Sequence, residues 1–145
     1  MQRTADVTWE GNLARGAGHI SGRSGALDAL PYTAATRIGA PEGKTSPEEL
    51  VAAAHAGCYA MSLAGELTSA GTPPERLSVT ATCTLDEVQG NHLIVAMDVE
   101  ARARVPDIDE QAFKSLARKA DAGCTISALV RASAQVSVRA ELEER

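Results

Sequence analysis

The chain has 145 residues, 44% of them hydrophobic but only 3% aromatic, and a formal net charge of −5. The length predicts a single domain, residues 1–145, without room for separate catalytic and binding domains. The acidic balance argues against nucleic-acid binding, because that affinity comes from clustered Lys and Arg. Since large apolar side chains are so few, we expect part of the surface to be buried in a two-fold homodimer.

The apolar stretches and the cysteines bear on the cellular compartment. No basic segment with a following apolar run precedes Trp9, and the most apolar stretch, residues 50–67, carries His55, Ser62 and Glu66. Neither a secretory signal nor a membrane span is therefore expected, and we predict a cytoplasmic protein. In that compartment cysteines are more often catalytic, redox-sensing or metal-binding than structural, and three cysteines fit poorly with a disulfide scaffold.

The N-terminal part of the chain predicts strands followed by a loop. Residues 6–20 are typical of a β-hairpin with its turn at 10–12, and residues 27–30 favour a third strand. Residues 31–44, rich in Gly and Pro, predict a loop that carries Arg37.

A long helix is predicted over residues 47–70. Ser46 supplies a hydroxyl N-cap, proline takes the first helical position, and Glu48 and Glu49 lie in the first turn, where the helix dipole favours carboxylates. Gly71 is the expected C-terminal stop. The helix is apolar nearly all round, which is typical of a helix buried in the middle of an assembly.

The rest of the chain predicts a second hairpin, two helices and a last strand. In chain order these are strands at 77–88 and 92–105 joined by a turn at 89–91, a helix at 110–122 capped by Asp109 and ended by Gly123, a short helix at 126–130, and a strand at 134–140.

Cys58 and Cys124 are the candidates for chemistry. Either could be a small core residue, since free cysteine is among the most buried residue types. A reactive cysteine must instead be a thiolate, which in an apolar site needs a cation or a helix N-terminus nearby. Arg37 is a candidate cation and Glu48 or Glu49 its orienting carboxylate, although a solvated loop charge and ordinary helix N-terminal stabilisation are the alternatives.

The helical spacing adds a geometric constraint. Glu48 and Cys58 are ten positions apart, so they lie roughly 15 Å apart along the helix axis and cannot touch within one chain. If two copies of the helix cross antiparallel about a two-fold axis, Glu48 of one chain approaches Cys58 of the other. We therefore predict a composite active site at the dimer interface.

His55 and Cys83 are further residues that could take part in chemistry. His55 shares a helix face with Cys58 and could act as a base toward the thiol or be a packing histidine. A zinc site of His55, Cys58, Cys124 and one more ligand is conceivable, but no Cys-x-x-Cys or His-x-x-x-His spacing supports it, and we expect neither a metal nor a cofactor. Cys83 lies in a strand pattern and is expected to be a thiol without a catalytic role.

The run from Thr45 to Leu63, TSPEELVAAAHAGCYAMSL, closely resembles the signature helix of the osmotically induced protein C (OsmC) family, relatives of the organic hydroperoxide resistance (Ohr) proteins. Further matching segments, in the family's order and spacing, are residues 7–13, 16–18, 24–25 and 31–32, Arg37, and residues 122–127. The resemblance covers nearly the whole chain. It departs from the family pattern at a few positions, among them Thr125, where proline often follows the second cysteine.

This resemblance implies an α+β fold in which two chains intertwine, with long central helices packed against and wrapped by antiparallel β-sheets. It also implies a thiol-dependent peroxidase that reduces organic hydroperoxides, and hydrogen peroxide more weakly. By position, Cys58 is then the peroxidatic cysteine and Cys124 the resolving cysteine that closes a disulfide with it. Arg37 is the thiolate-stabilising cation and Glu48 its carboxylate partner.

The expected partners are a second copy of the chain, an organic hydroperoxide, and a thiol or dithiol reductant such as a lipoylated or thioredoxin-like protein; neither nucleic acid nor membrane is expected. We expect an apolar mouth supplied by Tyr32, Ile38, Met61 and Ile126. The alternatives are a non-enzymatic redox-sensing or small-molecule-binding dimer on the same scaffold, and a structural or metal-binding module.

Overall fold

The computed structural model describes residues 1–143 and has an α+β fold with two three-stranded sheets. Its elements are β1 (Ala5–Glu10), β2 (Ala17–Gly22), β3 (Leu30–Tyr32), α1 (Ala34–Ile38), α2 (Pro47–Ser69), β4 (Arg76–Val88), β5 (Asn91–Arg104), α3 (Glu110–Gly123), α4 (Thr125–Arg131) and β6 (Gln135–Leu142). They fall into two compact units, Met1–Leu50 and Val51–Arg145. Among residues 1–143 no helix combines the length and apolarity that a bilayer span requires.

The first unit is built on the antiparallel sheet β1-β2-β3, which confirms the predicted hairpin. Trp9 pairs with Gly18 across β1 and β2, and Gly18 pairs with Tyr32 across β2 and β3. A Cβ at Gly18 would lie 2.5 Å from the Tyr32 ring, so only glycine leaves room for it. The Trp9 and Tyr32 rings therefore approach to a centroid distance of 5.4 Å in a tilted aromatic pair.

The segment between this sheet and α2 differs from the prediction. The third strand is Leu30–Tyr32 rather than residues 27–30, and the expected loop contains the helix α1. Thr33 and Thr36 begin α1 with a reciprocal capping box, in which each hydroxyl accepts from the other residue's backbone N–H. Arg37 is consequently held on a helix and not in an irregular loop. A five-residue helix is too short for hydrophobic periodicity to show in the sequence.

Helix α2 begins at Pro47 as predicted, with the Ser46 hydroxyl accepting from the Glu49 backbone N–H at 3.1 Å. It ends one residue before the predicted boundary, and Gly71 follows with φ +84°. Only one stripe of it is fully buried, at a spacing of four residues: His55, Tyr59, Leu63 and Leu67, each 0% exposed. The expectation that α2 is buried all round is therefore not met within one chain, where Gly57, Met61 and Gly65 lie exposed.

The second sheet has the order β4-β5-β6 and contains the predicted long hairpin. Gln89 and Gly90 form its turn with positive φ angles of 52° and 80°, as a tight hairpin turn requires. β6, however, runs parallel to β5, so the prediction of purely antiparallel sheets is wrong for this pair. The cause is the connection: α3 and α4 form a helical crossover that returns the chain to the same end of the sheet.

The core of the second unit lies between its sheet and its helices. The fully buried sheet residues are Met97, Val99, Ala101 and Ala103, all on β5. α3 is capped by Asp109, whose carboxylate accepts from the Ala112 backbone N–H at 2.8 Å, and it buries Phe113 completely. The predicted stop at Gly123 falls one residue early, because α3 includes that glycine and Cys124 is its cap.

Candidate active site

Cys124 occupies the joint between two helices. It is the C-cap of α3 and the N-cap of α4, with φ −76° and ψ 115°. Its sulfur accepts a 3.5 Å hydrogen bond from the Ser127 backbone N–H, the role that an oxygen takes in an ordinary N-cap. The residue is only 1% exposed, so this capping position holds its sulfur inside the protein.

Cys58 lies in the middle of α2, half-buried, with its sulfur 3.1 Å from that of Cys124. Both are thiols, and the Cys124 thiol donates to the Cys58 sulfur. A disulfide bond is about 2.05 Å long, so the two sulfur atoms need to approach by only roughly 1 Å to bond. The structure thus brings together two cysteines that are 66 positions apart in the sequence.

Opposing influences act on the Cys58 thiol, and their balance lowers its pKa below the ordinary value. Burial is the largest and raises the pKa, because it disfavours the charged thiolate. Hydrogen bonds lower the pKa, from the backbone of Ile126, the Cys124 thiol, and both the hydroxyl and the backbone of Thr125. The donors at the start of α4 therefore outweigh burial and favour the thiolate, which is the nucleophilic form of cysteine.

His55 does not bond to Cys58; its Nε2 lies 2.7 Å from the Ser127 hydroxyl. Both residues are 0% exposed, and the bond joins α2 to the first turn of α4. Burial lowers the pKa of His55, Arg131 lowers it further, and Asp121 raises it without restoring the ordinary value. The imidazole is thus neutral at pH 7, and of the two sequence-based interpretations the structure favours a histidine that secures packing.

Tyr59 makes a polar contact between α2 and α3, donating its hydroxyl to the Ala117 carbonyl at 3.2 Å. Burial, with smaller contributions from Asp121 and Cys124, raises the pKa of Tyr59 to about 12. The phenol consequently stays protonated and keeps donating. His55 and Tyr59, four residues apart, hold α4 and α3 on either side of the Cys124 joint.

In the first unit Arg37 and Glu48 form an ion pair, with Arg37 Nε 2.7 Å from Glu48 Oε1. The Glu48 side chain is 9% exposed and that of Arg37 46% exposed. The contact uses Nε and not the two terminal nitrogen atoms of the guanidinium. Glu49, the other candidate partner, instead accepts from the Thr45 hydroxyl at 2.6 Å.

The remaining candidates lie outside this arrangement. Cys83 is on β4, where it packs against the core of the second unit. Across residues 1–143 no three His, Cys, Asp or Glu side chains are grouped as a metal-binding cluster. The sequence-based reasoning did not predict that the hydroxyls of Thr125 and Ser127 contact Cys58 and His55. The signal for them was their position one and three residues after a cysteine that ends a helix. Cys124 caps α4 through the Ser127 backbone N–H, which places both hydroxyls in the first turn of that helix.

The sequence is similar to one described protein family and to two bacterial proteins. The sequence pattern of the family described as OsmC-like protein matches residues 39–139. The proteins named peroxiredoxin OsmC in Escherichia coli (strain K12) and in Shigella flexneri are each 40% identical over 132 residues, covering 91% of this chain and 92% of theirs.

Solved structures share the fold. The organic hydroperoxide resistance protein OhrB of Bacillus subtilis matches with a TM-score of 0.69 and 23% identity over 95% of this chain and 98% of its own. An OsmC-like protein of unknown function from Vibrio cholerae matches with a TM-score of 0.76 and 15% identity over 95% and 99%. At these low identities the TM-scores establish a shared fold alone. The family pattern over residues 39–139 and the two 40% identical relatives establish common descent. The chain belongs to the OsmC-like protein family.

Proposed function

We propose that this protein is a cysteine-based peroxidase that reduces organic hydroperoxides, and hydrogen peroxide more weakly, with Cys58 as the peroxidatic and Cys124 as the resolving cysteine. The observation that carries the proposal is the 3.1 Å separation of the two sulfur atoms, combined with donors that favour the Cys58 thiolate. The names of the 40% identical relatives, peroxiredoxins, support it.

The first step is an in-line displacement at the peroxide. The Cys58 thiolate attacks the terminal oxygen of ROOH, the O–O bond breaks, and the alkoxide leaves and takes a proton from water to give the alcohol. Sulfur loses two electrons to the peroxide and becomes a sulfenic acid. A nearby cation that stabilises the charge growing on the leaving oxygen would accelerate this step.

The second step uses the sulfur that is already adjacent. Cys124 attacks the sulfenic sulfur of Cys58, the S–O bond breaks, and the hydroxyl leaves as water with the proton of the Cys124 thiol. A dithiol reductant then returns two electrons to the disulfide. Because Cys124 is 1% exposed, the reductant's thiolate reaches the disulfide at Cys58 and expels Cys124.

The cation in this proposal is Arg37 of a partner subunit. In an antiparallel α2 pair with its two-fold axis at Ala53, residue 48 of one chain lies level with residue 58 of the other, since 53 is midway between them. Ala53, Ala54 and Gly57 are exposed, and residues this small permit the close approach of a second helix. Arg37, oriented by Glu48, then presents its terminal nitrogen atoms to the partner's Cys58. Ile38 and Met61, 72% and 78% exposed, would contribute the apolar mouth.

Steady-state reduction of cumene hydroperoxide by a dithiol tests the chemistry. Wild type and the matched control Cys83→Ser should turn over, Cys58→Ser should be inactive, and Cys124→Ser should complete one turnover and then stall as a sulfenic acid or over-oxidise. Full activity in Cys58→Ser would overturn the mechanism. A protein whose Cys58 reacts with peroxide once but never turns over with an excess of dithiol would be the redox-sensing alternative.

Mixed dimers test the composite site. Two single variants, Arg37→Ala and Cys58→Ser, are co-expressed so that mixed dimers form. Each variant alone, as a homodimer, is expected to be inactive or impaired. If the cation comes from the partner, the Cys58 of the first variant meets the Arg37 of the second, and activity returns in the mixed species. If both residues act within one chain, no mixed dimer contains an intact site and activity stays lost.

A further inference from the structure

Thr125 places a hydroxyl next to the Cys58 sulfur, with Oγ1 3.5 Å from Sγ. It is the first residue of α4 and directly follows Cys124, so the capping turn that holds one cysteine also aims this hydroxyl at the other. Within residues 1–143 the Thr125 hydroxyl makes no other hydrogen bond.

The contact depends on the protonation state of Cys58. A thiol can donate to the threonine oxygen or accept from it, whereas a thiolate has no proton and can only accept. A hydroxyl hydrogen rotates freely about its C–O bond, so it can turn toward the sulfur as the charge forms. Hydrogen bonds to ionised groups are stronger than neutral ones, and the contact therefore stabilises the thiolate more than the thiol.

We propose that Thr125 is a further catalytic residue, whose hydroxyl donates a hydrogen bond to the Cys58 thiolate and orients that sulfur for attack. The Cys124 thiol is the other side-chain donor to this sulfur, but its proton leaves during disulfide formation. The Thr125 hydroxyl keeps its proton throughout the cycle. Its role in peroxide reduction rests on the proposed function, whereas its effect on the Cys58 thiolate does not.

The test measures the rate of alkylation of Cys58 by iodoacetamide between pH 5 and 10, with the modified peptide quantified by mass spectrometry so that the other cysteines do not interfere. Thr125→Val removes the hydroxyl and keeps the shape. Because Thr125 is exposed and the bond is long, we expect alkylation at pH 7 to slow by roughly three- to tenfold, with the profile moved to higher pH. Thr125→Ser should remain within about twofold of wild type.

A second variant covers the backbone donor. Thr125→Pro removes both the hydroxyl and the N–H, and proline is well tolerated at the first position of a helix. It should slow alkylation at least as much as Thr125→Val. The matched control is Thr82→Val, an exposed threonine on β4, which should leave the profile unchanged.

The outcomes separate the two proposals. An unchanged alkylation profile in Thr125→Val and Thr125→Pro would overturn the role of Thr125, whatever the peroxidase assay shows. Slowed alkylation in both variants, in a protein whose wild type does not consume cumene hydroperoxide with dithiol, would retain the thiolate contact and reject the proposed function. Slowed alkylation with a matching fall in the kcat/KM of peroxide reduction would support both.

Discussion

The hydrogen bond between His55 and Ser127 leads to a sharp prediction about stability. Within residues 1–143 the Ser127 hydroxyl is the only hydrogen-bond partner of the His55 imidazole, because His55 Nδ1 is buried without a partner. Ser127→Ala removes that hydroxyl. With the ring 0% exposed, water cannot replace the lost hydroxyl. A buried polar group left unpartnered costs about 1–3 kcal/mol, and we expect the free energy of unfolding to fall by that amount.

Urea unfolding followed by circular dichroism at fixed protein concentration measures this loss. The control is Ser115→Ala on the exposed side of α3, where the change should stay within about 0.5 kcal/mol. In the double variant His55→Leu, Ser127→Ala, the loss should be smaller than the sum of the single losses, because no buried partner is left unsatisfied. A Ser127→Ala variant as stable as the Ser115→Ala control would refute the reasoning.

Further predictions concern pH, charge and packing. The pKa of His55 lies below its ordinary value of 6.5, so the stability that comes from the neutral imidazole is complete above pH 6.5 and is lost as the pH falls through the folded-state pKa. His55→Gln should therefore make the free energy of unfolding less dependent on pH between pH 7 and 5. An unaltered slope of unfolding free energy against pH would contradict this. Arg37→Ala should shift the iodoacetamide reaction of Cys58 to higher pH, with Arg37→Lys shifted less, and equal profiles for all three proteins would remove Arg37 from the site. Phe113→Ala, at a 0% exposed position, should lower the unfolding free energy by about 3–5 kcal/mol in urea titration, and a loss below about 1 kcal/mol would show that the α3 contact is not part of the core.

Much of the fold could be predicted because its signals are local. The two ends of α2 were predicted to within one residue, from the Ser46 cap and the proline at 47 at its start and Gly71 after its end. The turn at Gln89 and Gly90 likewise fixes the long hairpin. The parallel pairing of β6 could not be read from its own residues, because strand direction is set by the crossover before it.

The site was less predictable, because its contacts join distant segments. Cys58 and Cys124 were found as candidates, but their 3.1 Å separation depends on the packing of α4 against α2. His55 was recognised without its partner, since Ser127 lies 72 positions away. Thr125 entered only as a departure from a family pattern, whereas in the structure its hydroxyl contacts the Cys58 sulfur.

The most direct test of the central claim is a single-turnover experiment on the fully reduced protein. One equivalent of cumene hydroperoxide is added without reductant, remaining thiols are blocked, and the disulfide-linked peptides are identified by mass spectrometry. The account predicts a disulfide between Cys58 and Cys124 of the same chain, with Cys83 recovered as a blocked thiol. Recovery of Cys58 and Cys124 as unoxidised thiols, or of a disulfide that joins two chains, would contradict it.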